Sequence, residues 1–244
     1  MGKIALVTGG SRGIGAATVK ALARDGYDVA VNYNASGEAA ERVAAEARDA
    51  GVRAITVQAD VAREDRVVAM FETVDRELGR LDALVNNAGV NGRRARVDEL
   101  TADEITALLN TNVLGPMLCS REAVRRMSTK YGGPGGAIVN VSSGSAYIGN
   151  PGRGVLYAVS KGGVNSLLAG LSQEVAGEGV RVNNVAPGMT LTDMVPNETP
   201  ELVSKIPMGR LGQPMEVADA IVWLLSDKAA YVAGANIRIA GGRP

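Results

Sequence analysis

The stretch that decides the fold is Ile4-Ala-Leu-Val-Thr-Gly-Gly-Ser-Arg-Gly-Ile-Gly15, near the start of the chain. Its first four residues, Ile4 to Val7, form a short apolar run that is typical of a buried parallel strand. A glycine-rich loop follows at once, and residues Ala16 to Arg24 then show helical spacing. The stretch therefore predicts a strand, a tight loop and a helix in direct succession.

The glycines of this loop have the spacing that a dinucleotide requires. Gly9 can form the tight turn, Gly13 lets the backbone approach a pyrophosphate, and Gly15 lets the helix pack closely on the strand. The N-terminus of the helix then faces the phosphates. No Lys followed by Ser or Thr is present in the loop, so nucleoside triphosphate hydrolysis is not indicated. We predict cofactor contacts at Gly9, Ser11, Arg12, Gly13, Ile14 and Gly15.

Strand-like and helix-like segments alternate along the rest of the chain. The predicted strands are Ile4 to Val7, Val29 to Val31, Ile55 to Val57, Leu81 to Val85, Ile138 to Val141, Val180 to Val185 and Ile237 to Ile239. The predicted helices are Ala16 to Arg24, Glu38 to Ala50, Glu64 to Leu78, Ala102 to Met127, Val159 to Ala176 and Glu216 to Leu225. This alternation predicts an α/β Rossmann fold, a doubly wound, seven-stranded parallel sheet with helices on both faces. Its ligand site is expected beyond the carboxyl ends of the strands.

Length and composition favour one domain, residues 1–244, in a cytoplasmic protein. No Pro/Ser-rich linker divides the 244 residues, and 26 basic residues balance 26 acidic ones. This balance gives no electrostatic footprint for nucleic acid or for an anionic membrane surface. No apolar run approaches the length of a membrane span, and the single cysteine, Cys119, reads as a buried core residue. We expect no nucleic acid and no membrane as partners.

The second predicted strand ends at Asn32-Tyr33-Asn34, where an acidic residue would bind the ribose 2′-hydroxyl of NAD. Without that carboxylate nothing repels a 2′-phosphate, and Arg12 can offer one a charge-assisted contact. NADP is therefore the predicted cofactor, with NAD as the less favoured alternative. Asp60 and Val61, which close the third strand, are expected beside the adenine, although Asp60 could equally be a helix N-cap.

Tyr157 and Lys161 stand four residues apart in a chain that contains no histidine. On a helix these positions share one face, so the ammonium of Lys161 is expected to lower the pKa of the Tyr157 phenol. Tyr157 thus becomes a candidate general acid/base. The lack of histidine excludes Ser-His-Asp and Cys-His catalysis and any metal site built on His, and we expect no metal.

These residues belong to a set of motifs that resembles the classical short-chain dehydrogenase/reductases over nearly the whole chain. The motifs occur in family order: Thr8-Gly-Gly-Ser-Arg-Gly-Ile-Gly15, Asn86-Asn-Ala-Gly89, Asn112, Ser142-Ser143, Tyr157-x-x-x-Lys161 and Pro187-Gly188. The resemblance implies hydride transfer between a nicotinamide and a carbonyl/alcohol pair by the tetrad Asn112, Ser143, Tyr157 and Lys161. It also implies cofactor contacts at Asn87, Ala88, Gly89, Tyr157, Lys161, Pro187, Gly188, Thr190 and Thr192.

The resemblance assigns a role to each member of the tetrad. Ser143 would bind the substrate carbonyl while Tyr157 delivers a proton to its oxygen. Lys161 would lower the pKa of Tyr157 and hold the nicotinamide ribose, and Asn112 would position a water that relays protons. Many family members place the serine thirteen residues before the tyrosine, where this chain has Gly144. We therefore infer one extra residue in the loop between Tyr147 and Leu156, with Ser142 and Ser145 as weaker candidates for the serine.

The motifs do not identify the substrate. The pocket is expected to be lined by Tyr147, Ile148, Arg153, Val155, Leu156 and Met189, under a lid formed by a loop with a short helical turn from Val195 to Pro207. A general carbonyl reductase or secondary-alcohol dehydrogenase is favoured, with 3-oxoacyl-ACP reductase and sugar (glucose) dehydrogenase as alternatives.

Two further expectations concern partners. Arg125, Arg126 and Lys130 could supply part of a basic surface for an acyl carrier protein, which is not the favoured partner because Gln173 stands where those reductases commonly have Arg. The resemblance suggests a homotetramer. A rival outside the enzymes is a dinucleotide-binding redox sensor without turnover.

Overall fold

A computed structural model describes residues 2–152, 154–195 and 197–243 of the chain. Seven parallel strands form one sheet in the order β3-β2-β1-β4-β5-β6-β7. The strand order reverses between β1 and β4, and this reversal opens a crevice at the carboxyl edge of the sheet. The strands are β1 (Ile4–Val7), β2 (Asp28–Tyr33), β3 (Ala54–Gln58), β4 (Ala83–Asn86), β5 (Gly136–Val141), β6 (Val180–Pro187) and β7 (Asn236–Ile239).

Helices cover both faces of the sheet and leave its carboxyl edge to loops. They are α1 (Gly13–Arg24), α2 (Gly37–Asp49), α3 (Glu64–Glu77), α4 (Ala102–Leu109), α5 (Gly115–Met127), α6 (Ser145–Ile148), α7 (Val155–Val175), α8 (Pro200–Val203) and α9 (Pro214–Leu225). One apolar core packs α1, α2 and α9 against the sheet, and a second packs α3, α5 and α7 against the other face. The strands are buried from both sides, which explains why they read as continuous apolar runs.

The predicted fold class is confirmed, and each predicted strand overlaps an observed one. The single helix predicted from Ala102 to Met127 is interrupted by a π-helical turn, Asn110–Leu114, in which the Gly115 N–H bonds to the Asn110 carbonyl. Such turns occur mostly as single bulges within α-helices, frequently at functional sites. The helical turn expected in the lid is α8, whereas α6 was not predicted. No helix among the described residues has the length and apolar character of a membrane span.

Candidate active site

The glycine-rich loop after β1 is held from below by side chains of the neighbouring strands. Asn32 accepts a hydrogen bond from the Gly9 N–H at 3.2 Å and donates to the carbonyls of Val57 and Ala59. Asn87 donates to the carbonyls of Thr8 and Gly9 at 2.9 and 3.0 Å. The Asn32 amide is thus bonded to protein groups beneath the loop. In this structure Asn32 supports a cofactor site by holding the loop in place.

Two glycines of the loop occupy positions that disfavour a side chain, one because of its backbone conformation and one because of lack of space. Gly13 has φ +55°, in the left-handed region that L-residues rarely adopt. A Cβ on Gly15 would lie 2.5 Å from Nδ2 of Asn87 and would also strike the Gly9 carbonyl. The loop therefore lies tightly between α1 and the segment after β4, as the close approach of a backbone to a pyrophosphate requires.

The first turn of α1 is suited to an anion. Arg12 at its N-cap makes no capping hydrogen bond, and no acidic residue lies in the first turn. The free N–H groups and the positive end of the helix dipole therefore face the loop without a competing carboxylate. The Arg12 guanidinium is 69% exposed and lies 3.5 Å from Asp193, a loose ion pair that leaves it available. These features fit the phosphates of a dinucleotide.

The residues expected at the adenosine end border this loop. Tyr33 is half-buried and Asn34 exposed at the end of β2, while Val61 is buried after β3. The Asp60 carboxylate accepts a hydrogen bond from the Ala62 N–H at 2.9 Å and forms a local turn. The N-cap of α3 is Arg63, so the alternative role of Asp60 as that helix N-cap is not observed.

On the other side of the crevice, the end of β5 meets α7. Lys161 is buried, and its Nζ donates to the Val141 carbonyl at 2.7 Å. One hydrogen bond leaves two of the three ammonium protons for other partners. Burial lowers the pKa of Lys161 to about 8, since the charged form loses water. This lysine is consequently close to its titration point at neutral to mildly basic pH.

Among the serine candidates, Ser143 is the one that interacts with Tyr157, and hydrogen bonding from Ser143 acts to lower the tyrosine pKa. Its Oγ accepts the Ser145 N–H at 3.1 Å, which leaves the hydroxyl proton free to be donated. Ser142 instead points into the protein, where its hydroxyl donates to Oδ1 of Asn165 at 2.7 Å. Ser145 accepts a hydrogen bond from Asn150 at 2.7 Å.

One electrostatic expectation is wrong in this structure. The pKa of Tyr157 is raised above its ordinary value because burial disfavours the phenolate, and hydrogen bonding from Ser143 offsets this only in part. The Lys161 ammonium lies over the Tyr157 ring, 5.7 Å from its centroid. The i, i+4 spacing correctly predicts this proximity, but the expected lowering of the Tyr157 pKa by Lys161 does not follow, since desolvation of the phenol is the larger effect.

Asn112 is fully buried in the π-helical turn between α4 and α5. Its Oδ1 accepts the Val90 N–H at 2.9 Å, and its Nδ2 donates to the Val90 carbonyl at 2.9 Å and to Ser160 at 3.1 Å. A Cβ on Gly89 would lie 3.4 Å from Asn112 and 3.6 Å from Lys161, so the three residues are neighbours. The Asn112 side-chain amide is therefore engaged by protein groups at both its oxygen and its nitrogen.

The segment after β6 closes the front of the crevice. Thr190 is buried, and the Thr192 N–H donates to the Val195 carbonyl at 3.3 Å. A Cβ on Gly13 would lie 3.4 Å from the Thr192 methyl group, which brings this segment against the phosphate loop. Thr190, Thr192, Pro187 and Gly188 therefore share the carboxyl edge with the glycine loop.

The proposed pocket and lid are partly described. Tyr147 is half-exposed on α6 and lies under the Arg238 guanidinium, 5.0 Å from the ring centroid. The predicted lid ends at Pro207, and the N–H of the next residue, Met208, donates to the Gly241 carbonyl of the C-terminal segment at 3.0 Å. Arg153 and Pro196, which were expected in the pocket and the lid, lie outside the described residues.

The expected basic surface is largely neutralised. Arg126 is mostly buried, binds Asp75 at 2.7 Å and Glu122 at 3.1 Å, and stacks over the Phe71 ring at 5.0 Å. Arg125 also binds Glu122, at 2.9 Å. Arg125 and Arg126 are therefore engaged in intramolecular ion pairs and offer little unpaired positive charge to a protein partner.

Sequence analysis missed a row of buried asparagines that crosses the sheet beneath the site. Asn86, Asn140, Asn184 and Asn236 occupy paired positions on β4 to β7. Asn86 donates to Asn140 at 2.8 Å, and Asn140 donates to Asn184 at 2.9 Å. The sequence does show an asparagine late in each of three strands, at Asn86, Asn140 and Asn184. That these asparagines are neighbours follows only from the register between the strands.

Comparison with known proteins supports one family. The model of the short chain dehydrogenase family matches residues 3–202. The chain is 53% identical to an uncharacterized oxidoreductase, YgfF, of Escherichia coli K12, over 98% of this chain and 99% of that protein. It is 40% identical to the 3-oxoacyl-(acyl-carrier-protein) reductase FabG of Staphylococcus aureus Mu50, over 99% and 98%.

A solved structure gives the same result. A short chain dehydrogenase from Burkholderia cenocepacia J2315, in complex with NADP, superimposes with a TM-score of 0.92 at 39% identity, covering 99% of this chain and 98% of that one. The parallel seven-stranded sheet with flanking helices agrees with this likeness. The chain belongs to the short-chain dehydrogenase/reductase family and is an oxidoreductase.

Proposed function

We propose that the protein is an NADP(H)-dependent oxidoreductase that interconverts a carbonyl and a secondary alcohol, with Tyr157 as general acid/base. The observation that carries this proposal is the convergence of Ser143, Tyr157, Lys161 and Asn112 at the carboxyl edge of the sheet. In this arrangement the Ser143 hydroxyl and the Tyr157 phenol lie close to the buried Lys161 ammonium.

Each side chain then has a defined task in the reductive direction. Ser143 donates its free hydroxyl proton to the substrate carbonyl oxygen, and Tyr157 transfers its phenolic proton to that oxygen as negative charge develops. The Lys161 ammonium faces the resulting phenolate and stabilises it. Asn112 fixes the Val90 loop against α7 through Ser160 and so keeps the floor of the site in place. The raised pKa of Tyr157 keeps the phenol protonated and ready to act as an acid.

A nicotinamide dinucleotide, when bound, supplies or accepts the hydride. Residues of the N-terminal half, Gly9 to Gly15, would hold its pyrophosphate, and Thr190, Thr192, Tyr157 and Lys161 would hold its nicotinamide end. The remaining proposed contacts are Asn32, Tyr33, Asn34, Asp60, Val61, Asn87, Ala88, Gly89, Pro187 and Gly188. The C-terminal half of the domain carries Tyr157, Lys161 and the lid.

NADP is proposed over NAD because no carboxylate ends β2 and because the exposed Arg12 is available for a 2′-phosphate. The relative from Burkholderia cenocepacia that was solved with NADP supports this preference.

The substrate is proposed to be a small ketone or secondary alcohol. Reduction of a 3-oxoacyl carrier-protein thioester is a second candidate, favoured by the 40% identity to FabG and disfavoured by the paired state of Arg125 and Arg126. Cytoplasmic location and a homotetramer stay predictions.

The test is oxidation of NADPH and of NADH, followed by absorbance against ketones, diketones, aldehydes, sugars and acyl thioesters. We expect turnover that prefers NADPH and disappears in Tyr157→Phe. A protein that binds NADPH tightly but shows no Tyr157-dependent turnover with any class of carbonyl would count against the enzyme and favour the redox sensor.

A further inference from the structure

Three consecutive residues at the end of β5 engage three successive turns of α7. The Val141 carbonyl accepts a hydrogen bond from Lys161 Nζ at 2.7 Å. Ser142 donates to the Asn165 amide at 2.7 Å and contacts the Lys161 carbonyl at 3.3 Å. The next residue, Ser143, accepts the Ser145 N–H at 3.1 Å, and its hydroxyl acts to lower the pKa of the Tyr157 phenol. Ser143 directly follows Ser142, so the hydrogen bonds that join Ser142 to α7 also limit where Ser143 can lie beside that helix.

Asn165 is the fixed point of this connection. It lies one turn beyond Lys161 and two turns beyond Tyr157, on the same face of α7. Its Oδ1 accepts three hydrogen bonds, from Ser142 at 2.7 Å, from Asn236 at 2.8 Å and from Asn184 at 3.2 Å. A single amide oxygen thus ties α7 to three adjacent strands: to the residue after β5, to the interior of β6 and to the first residue of β7.

The connection continues into the buried asparagine row. Asn184 also accepts the hydrogen bond of Asn140, which in turn accepts that of Asn86. Asn86 donates further to Ser120 on α5 at 3.0 Å. Among the described residues, Oδ1 of Asn86 and Oδ1 of Asn236 are the buried side-chain oxygens without a partner. The row therefore links β4, β5 and β6 side by side through their amides, and Asn165 joins it to α7.

We propose that Asn165 is a positioning residue for the reaction, which holds the Ser142 turn and thereby keeps Ser143 facing the Tyr157 hydroxyl. The inference rests on the proposed roles of Ser143 and Tyr157. Asn165 itself touches neither residue's hydroxyl, so it acts through Ser142. Its effect should appear in the proton affinity of Tyr157 and in the turnover rate, beyond any effect on folding.

The physical argument is one of unsatisfied donors. An apolar residue at position 165 would leave the Ser142 hydroxyl and the amides of Asn184 and Asn236 without this acceptor in a largely buried place, which is unfavourable. Ser142 would keep only its longer contact with the Lys161 carbonyl, at 3.3 Å, and the turn that carries Ser143 would lose its 2.7 Å hydrogen bond to Asn165. A misplacement of about 1 Å in a catalytic group can cost on the order of 10²-fold in rate.

The experiment compares Asn165→Leu and Ser142→Ala with Asn183→Leu as a matched control. Asn183 is a buried asparagine on the same strand as Asn184, and it bonds to the Val232 carbonyl and the Ala235 N–H. The first readout is the pH titration of Tyr157, taken as the difference in tyrosinate absorbance between each protein and the same protein carrying Tyr157→Phe. The second readout is NADPH-dependent turnover of the best diketone of the panel, in the presence and absence of Ser143→Ala. Thermal unfolding is recorded for every variant.

We expect Asn165→Leu and Ser142→Ala to raise the measured pKa of Tyr157, because the phenolate loses the hydrogen bond from Ser143. The control should leave it unchanged even where it lowers the unfolding temperature. We expect turnover to fall about tenfold in Asn165→Leu. In a protein that already carries Ser143→Ala, adding Asn165→Leu should cause no further fall.

An Asn165→Leu protein that is less stable, yet keeps the Tyr157 titration and the turnover of the wild type, would overturn the proposal. So would Ser142→Ala proteins with both readouts unchanged, a result that does not depend on Asn165→Leu folding. If the wild-type protein turns over no carbonyl, the proposed function fails, and the Tyr157 titration alone decides whether Asn165 positions Ser143.

Discussion

The glycine-rich loop after β1 and the Tyr157 site after β5 lie on the same edge of one sheet but are built in opposite ways. The loop depends on the absence of side chains, as at Gly15, where a Cβ would strike Gly9 and Asn87. The Tyr157 site depends on buried polar side chains, with Asn112 at 0% and Lys161 at 5% exposure. Backbone geometry therefore defines one half of the crevice, and hydrogen-bonded side chains define the other.

This difference has an energetic consequence. Small residues in the loop cost little stability as long as φ is compatible, whereas a buried lysine and a row of asparagines each require partners in order to be tolerated. Substitutions in the first region should act mainly on cofactor affinity. Substitutions in the second region should change both turnover and stability. Where a buried charge is removed, turnover should fall while stability rises.

The largest expected effect separates chemistry from cofactor binding. Tyr157→Phe removes the group proposed to transfer a proton to the substrate oxygen, so kcat/KM should fall about 10²- to 10⁴-fold. The affinity for NADPH, measured by quenching of protein fluorescence, should change less than a few-fold because the ring and its packing remain. An equal loss of NADPH affinity and of turnover would mean that the two halves of the crevice are not separable in this way.

The second prediction concerns the stability cost of Lys161. The pKa of this buried lysine is lowered from 10.5 to about 8. Between those two values the unfolded chain binds more protons than the native protein, so stability rises with pH across that window and is lowest below pH 8. Replacement by Met in Lys161→Met should therefore stabilise the protein below pH 8, by up to about 3 kcal/mol, while it abolishes turnover.

Chemical denaturation at a series of pH values checks this result, with both proteins carrying Tyr157→Phe so that the neighbouring phenol does not titrate. The advantage of the Met variant should shrink as the pH rises from about 8 toward 10.5. A constant difference across the whole range would show that the ammonium carries no burial cost.

The same contrast explains what the sequence could predict. The continuous apolar runs of β1, β5 and β6 are local patterns, and they predicted the fold correctly. The loop at Gly9 to Gly15 is also a local pattern, and its contacts with the cofactor stay a prediction. The spacing of Tyr157 and Lys161 predicted their proximity. The pKa of Tyr157 could not be obtained in this way, since it depends on burial by residues distant in sequence.

The role of Asn165 was hidden for a related reason. It joins Ser142, Asn184 and Asn236, which are separated by up to 94 positions from one another and meet only through the register of β5, β6 and β7. A helical asparagine also has an ordinary explanation as a solvated residue. Only the three-dimensional structure shows that its oxygen is shared by three donors.

The third prediction returns to the cofactor half of the crevice. Arg12→Ala should weaken NADPH binding about tenfold and leave NADH binding nearly unchanged, because a charge-assisted hydrogen bond to a 2′-phosphate contributes about 1.5–3 kcal/mol, reduced here by exposure. The matched control is Arg76→Ala, a similarly exposed arginine on α3. Equal losses for the two cofactors would place the 2′-phosphate away from Arg12.

The smallest effect should come from Gly13→Ala, which tests whether the loop is governed by backbone conformation alone. A Cβ there meets nothing closer than Thr192 at 3.4 Å, so the cost comes from φ +55°, about 1 kcal/mol for an L-residue. We expect several-fold weaker NADPH binding with kcat preserved at saturating cofactor. Gly170→Ala, on α7 with open space around it, should instead stabilise the protein by about 0.5–1 kcal/mol. A loss of kcat in Gly13→Ala at saturation would mean that the loop also aligns the reacting groups, because a purely conformational cost would be overcome once the cofactor is bound.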